Sequence, residues 1–96
     1  MNSAGGVAPT AANAATRIEV RVELKPGVVD AEAESVQKSL GLLGLRSLRG
    51  VTTARVYVLE FAGLTTAQAE NAAREAVDRL LANPVIHRVA IRPLPD

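Results

Sequence analysis

The chain has 96 residues and 10.0 kDa, room for one domain, and eleven Lys and Arg against ten Asp and Glu give a net charge of +1. That balance argues against a nucleic-acid surface built on bulk charge, and an aromatic content of 2%, Tyr57 and Phe61 alone, leaves no base-stacking platform. The absence of Cys excludes a disulfide framework, thiolate metal sites and a thiol nucleophile, and fits a cytoplasmic protein.

Residues 1–16 carry no charged side chain and no periodic apolar face, which predicts a flexible Ala/Gly-rich tail. They lack the basic region and apolar run of a signal peptide, and no segment reaches the length of a membrane span. Two prolines within 93–96 predict a frayed exit, so the folded domain is placed at 17–92.

Residues 17–24 alternate without a fault: Ile18, Val20, Val22 and Leu24 on one face, Arg17, Glu19, Arg21 and Glu23 on the other. This is a half-buried strand with a wet, self-screening charged face. Lys25-Pro26-Gly27 marks a turn. Asp30 is an N-cap, with Glu32 and Glu34 in the first turn where the helix dipole favours them. Ala33, Val36, Leu40 and Leu43 share a helix face, and Gly44 fits the left-handed residue after its end.

Residues 45–51 read as a second strand, although their apolar positions do not alternate cleanly. Residues 54–62 form a third, with Val56 and Val58 on one face and Tyr57, Leu59 and Phe61 on the other. Two apolar faces suggest a helix on one side and a second subunit on the other. Thr65 and Gln68 have capping-box spacing and open a helix that runs to about Ala82, its inner face being Ala69, Ala73, Ala76, Val77 and Leu80. Asn83-Pro84 stops it, and residues 85–92 form the last strand with Val85, Val89 and Ile91 inward.

The order is β-α-β-β-α-β, an α+β ferredoxin-like fold. It predicts an antiparallel four-stranded sheet with both helices on one face and the first and last strands side by side at its centre. Tyr57, Leu59 and Phe61 are the candidates for the open face. A domain this small buries only ~60% of its unfolded surface, so a dimer that covers the open face is expected.

Catalytic constellations are missing. A single histidine, His87, cannot make a transition-metal site without Cys or a suitably spaced carboxylate cluster, and the acidic residues near Asp30 are explained by the helix start. There is no nucleophile elbow and no glycine-rich phosphate loop.

Two stretches carry a family resemblance. Val22-Glu23-Leu24-Lys25-Pro26-Gly27-Val28-Val29-Asp30 precedes a helix with Val36, Leu40 and Leu43-Gly44, and Leu80-Leu81-Ala82-Asn83-Pro84-Val85-Ile86 precedes the last strand. Together they resemble the PurS family, the small subunit of bacterial and archaeal phosphoribosylformylglycinamidine synthase, over essentially all of 17–92. The second stretch is the more specific. The chain departs from the family pattern where Ala31, Glu32 and Ala33 replace Pro-Gln-Gly, where Arg55 stands near the usual Gly-Lys, and where His87 replaces a glutamate.

The resemblance implies a non-catalytic assembly role in the fourth step of purine biosynthesis. The subunit would be a homodimer, or a tetramer, that joins the synthetase PurL to the glutaminase PurQ and helps retain ammonia between them. It would hold no cofactor or metal of its own, since ATP, Mg and glutamine are used by the partners. Lys25, Gly27, Asp30, Arg55, Leu81, Asn83 and Pro84 are the candidate partner or subunit contacts. Turn chemistry alone also accounts for Gly27, and helix termination for Pro84. The alternative reading is an ACT-like regulatory domain binding a small molecule between paired units, which leaves the Leu80–Ile86 string unexplained. A nucleic-acid module on Arg46, Arg49 and Arg55 conflicts with the near-neutral charge.

Overall fold

The computed structural model describes residues 15–95. Of the tail expected over residues 1–16, residues 1–14 lie outside them, and Ala15 and Thr16 belong to the first strand instead. Strand β1 (Ala15–Leu24) is followed by helix α1 (Ala31–Leu42), strand β2 (Ala54–Ala62), helix α2 (Thr66–Ala76) with a π-helical turn (Val77–Leu81) at its end, and strand β3 (His87–Pro93). β1 begins at Ala15, two residues before its charged alternation, and the Thr16 hydroxyl donates to the Leu64 carbonyl at 2.9 Å. The exit stays paired through Pro93, opposite Ile18, and the Leu94 N–H donates to the Arg17 carbonyl at 2.9 Å.

The sheet has three strands in the order β2-β1-β3, both pairs antiparallel. The expected strand over 45–51 does not form. Its apolar residues Leu45, Leu48 and Val51 recur every third position, which matches neither face of a pleat with a period of two. β1 is the centre, and β3 lies at one edge instead of sharing the middle. The other edge, β2, is where the missing strand would have paired.

Register settles the faces. Residues directly opposite in an antiparallel pair point to the same side. Phe61, Leu59 and Tyr57 stand opposite Thr16, Ile18 and Val20, and Val89 and Ile91 opposite Val22 and Val20. Tyr57, Leu59 and Phe61 therefore lie on the helix-bearing face, not on the open one as the sequence suggested. The open face carries Val56 and Val58, 49% and 51% exposed, among charged neighbours. Arg92 grips Glu19 with two hydrogen bonds, at 2.9 and 3.2 Å, and Glu23 accepts from Arg21 at 2.7 Å and from Arg88 at 3.0 Å.

The core is Ile18, Val20 and Val22 of β1 against Ala69, Ala73 and Val77. α2 starts at the predicted capping box: Thr65 Oγ1 accepts from the Gln68 N–H, and Gln68 Oε1 from the Thr65 N–H. Its alanines bring it close to the sheet. At Val77 the helix widens, and the Ala82 N–H donates to the Val77 carbonyl at 3.2 Å, five residues back. The extra residue in this turn shifts the helical phase. Leu80, expected inside, is 83% exposed, while Leu81 and Ala82 pack on the core. Val85, also expected inside, precedes β3 and is exposed.

α1 departs furthest from expectation. It begins and ends as predicted. Asp30 caps it, and past Leu43 the Gly44 N–H donates to Gly41 and the Leu45 N–H to Leu40, a Schellman motif with Gly44 at φ +95°. Its inner face is not packed, however. Only Ala33 is buried, and Val36, Leu42 and Leu43 are exposed. α2 lies over β1 and β3, whereas α1 packs along no strand and leaves the helix-side face of β2 without a helix above it.

Ile18→Ala should lower unfolding free energy by about 2–5 kcal/mol, because it opens a cavity in a core of six residues. Leu42→Ala, 84% exposed, should change the stability of the isolated chain by less than about 0.5 kcal/mol, as measured by urea titration.

Candidate interaction surface

The two sequence stretches that carry the resemblance meet at one end of the sheet. The Lys25 N–H donates to the Ile86 carbonyl at 2.8 Å, and Leu24 pairs with His87. The Lys25-Pro26-Gly27 turn closes with the Val28 N–H on the Lys25 carbonyl at 3.1 Å. Gly27 sits at φ +89°, a conformation that glycine adopts without the Cβ clash of other residues.

Asn83 organises the neighbouring turn. Its side-chain oxygen accepts from the Val85 N–H at 2.9 Å, and its carbonyl accepts from Ile86 and His87. The Asn83 N–H donates to His87 Nδ1 at 2.8 Å. His87 therefore acts as an acceptor that closes this turn, a role that its position in the sequence did not signal.

Asp30 ties the surface together. One carboxylate oxygen accepts from the Ala33 N–H at 2.9 Å, and the other from the Thr53 hydroxyl at 2.7 Å. The first contact caps α1. The second fastens the segment returning from α1 beside the point where it left. These bonds, the Ala33 amide first and the Thr53 hydroxyl second, hold the Asp30 carboxyl below its usual range. Arg21 and then Arg88 lower Glu23, and the hydrogen bonds from Arg92 lower Glu19.

Six of the seven candidate contact residues gather here. Glu23, Lys25, Gly27, Asp30, Thr53 and Arg88 are among those lining an open cleft of about 370 Å³. Asp30, Arg55 and His87 line a hollow beside it, and Asn83 and Pro84 lie on the adjoining turn. Leu81 is turned inward against the core. Tyr57, Leu59 and Phe61 run along β2 on the helix-side face. The cleft mixes both signs of charge, so it offers no uniform field for an anion or a cation. Among the described residues, no three His, Cys, Asp or Glu side chains are grouped to hold a metal ion, and no helix is long and apolar enough to cross a membrane. The exposed Val29 and Val85 on its bounding loops give the same end an apolar component suited to a protein surface.

The profile of the PurS family, described as phosphoribosylformylglycinamidine (FGAM) synthase, matches residues 17–94. The chain is 38% identical over 73 residues to the phosphoribosylformylglycinamidine synthase subunit PurS of Archaeoglobus fulgidus, covering 76% of this chain and 91% of that protein. The crystal structure of Methanocaldococcus jannaschii PurS, one of the subunits of formylglycinamide ribonucleotide amidotransferase, superposes with a TM-score of 0.74 at 28% identity. That match spans 82% of this chain and 95% of the other. A chain in the structure of PurLQS from Thermotoga maritima shares the fold, with a TM-score of 0.76 at 22% identity over 84% of this chain and 99% of that one.

Carboxylates with depressed folded-state pKa values stabilise the fold above the ordinary carboxylate range, and this stability is lost as pH falls through their folded values. The melting temperature should therefore drop on acidification below that range. Asp30→Ala should melt lower at neutral pH and lose less on acidification than the parent. Asn83→Ala should cost about 1 kcal/mol by urea titration, from the lost bond to Val85.

Proposed function

The chain belongs to the PurS family, and from that premise we propose that it is the small, non-catalytic subunit of phosphoribosylformylglycinamidine synthase in purine biosynthesis. The family match over residues 17–94 carries this reading. The fold supports it from a different direction. The side chains at the motif-bearing end are occupied with turns, caps and ion pairs, and what they present outward is a surface of mixed charge and exposed aliphatic groups.

In this role the chain joins the synthetase PurL to the glutaminase PurQ, so that ammonia released by one is used by the other. ATP, magnesium and glutamine are handled by the two enzymes. The end of the sheet with Lys25, Gly27, Arg55, Asn83 and Pro84 is the surface we assign to them. The subunit acts as a homodimer in the cytoplasm. Uncovered aliphatic side chains on α1 and on β2 support the dimer, since exposed apolar patches mark interaction sites.

Sedimentation of the isolated protein should give twice the 10.0 kDa chain mass. Mixing with the cognate PurL and PurQ should give one species containing all three on size-exclusion chromatography. Lys25→Glu should weaken entry into that species by about tenfold or more, as a charge reversal at an interface does, with an unchanged circular dichroism spectrum. A variant that enters the complex as well as the parent removes this end of the sheet from the contact surface.

A further inference from the structure

We infer that the His87 ring is a proton-sensitive latch on the turn that carries Asn83, Pro84 and Val85. The neutral ring holds the turn closed, and protonation releases it. The latch belongs to the chain itself; its effect on assembly rests on the function proposed above.

Every backbone donor of this turn has a partner. The Val85 N–H donates to the Asn83 side-chain oxygen at 2.9 Å, and the Ile86 and His87 N–H groups donate to the Asn83 carbonyl at 3.1 and 2.8 Å. Pro84 has no N–H to place. The Asn83 N–H donates to His87 Nδ1 at 2.8 Å. Of these bonds, only the last ends on an atom that titrates near neutral pH. An imidazole nitrogen accepts only while it carries no proton, so the neutral ring has Nδ1 bare and its proton on Nε2. Protonation places an N–H on Nδ1. Two donors then face each other across 2.8 Å, and attraction becomes repulsion. Either the ring turns away or the Asn83 amide moves. A carboxamide oxygen in the same place would accept throughout roughly pH 5–8, the range in which histidine changes charge. The imidazole is what makes the closure conditional.

The charges around the ring nearly cancel. Asp30, Glu32 and Arg55 share one hollow with His87, and Arg74 and Asp78 of α2 share another. Three carboxylates stand against two guanidiniums, and Asp30 is already engaged by Ala33 and Thr53. Glu23 and Arg88 pair with each other on the opposite face of the sheet. The lost hydrogen bond therefore decides the outcome. Movement is confined as well. Before the turn, Ala82 packs on the core and donates to the Val77 carbonyl; after it, His87 enters β3 opposite Leu24. What lies between can respond, and it presents Val85, 76% exposed. The Ile86 carbonyl accepts from the Lys25 N–H, so a change here reaches the Lys25-Pro26-Gly27 turn.

The chain has a single histidine, so the imidazole signals of the untagged protein belong to His87. Nitrogen-15 NMR of the full chain between about pH 5 and 8 should show Nδ1 unprotonated and Nε2 protonated at the upper end. The Asn83 amide proton should shift as the ring titrates. Its protection from hydrogen exchange, corrected for the intrinsic pH dependence, should fall several-fold, while that of Ala73 in the core stays constant. His87→Gln, which keeps an acceptor that does not titrate, should hold Asn83 protection constant over the same range. His87→Leu should leave it low throughout. A proton on Nδ1 at the upper end would overturn the latch. So would an Asn83 amide indifferent to the ring, or a Gln variant that follows pH as the parent does. A loss of protection extending equally to Ala73 would mean that the whole domain opens, and would overturn it too. In size-exclusion runs with PurL and PurQ, entry of the parent should weaken from pH ~8 to ~6 more than entry of the Gln variant. Equal pH dependence would overturn the coupling to assembly. No joint species at either pH would remove the assembly role and leave the latch to the spectra.

Discussion

A sheet with an apolar face has to cover that face, and this chain supplies its own cover for only part of it. Ile18, Val20 and Val22 are sealed by Ala69, Ala73 and Val77 of α2, whose small side chains let helix and sheet approach closely. A single helix is about 10 Å wide and spans roughly two strands at ~4.8 Å spacing. The third strand is left over. The half-exposure of Tyr57, Leu59 and Phe61, the modest size of the core and the solvent-facing stripe of α1 all follow from this shortfall. This uncovered remainder is the apolar surface on which the proposed homodimer rests.

The opposite face shows the contrary solution. It is wet, and its charges are matched locally: Glu19 with Arg92, Glu23 with both Arg21 and Arg88. Exposed pairs of this kind add little stability. They do neutralise a face that would otherwise display four arginines, which accords with a protein that recognises other proteins rather than phosphate chains. At the end of the sheet the backbone polar groups of two turns are satisfied by Asn83, His87 and Asp30. That end is therefore held in one shape, as the proposed contact surface requires.

Much of this was legible in the sequence, and the exceptions have physical reasons. The faultless alternation over 17–24 located β1 and its faces, Asp30 and Gly44 located both ends of α1, and Thr65 with Gln68 located the start of α2. Strand β2 has apolar residues of both parities, so only its register with β1 could reveal which set faces the helix. The π-helical turn leaves no mark in composition, and with it went the exchange of Leu80 for Leu81. The strand expected over 45–51 rested on β-compatible residues without the period of two that a pleat needs. The amphipathic pattern of α1 predicted a packed inner face, yet Val36, Leu42 and Leu43 are exposed, because the pattern of one helix does not fix what packs against it. Six of the seven candidate contact residues, all but Arg55, lie in the two family stretches, which the structure brings together at one end of the sheet. That Leu81 alone among them turns inward depended on the π-helical turn.

The central claim is that this chain makes two enzymes work as one, and it is tested most directly by glutamine-dependent synthesis of formylglycinamidine ribonucleotide by the cognate PurL and PurQ. The account predicts that omitting this protein abolishes activity with glutamine while activity with free ammonia persists, and that adding it back restores the glutamine-dependent rate. Full glutamine-dependent activity without it would contradict the account.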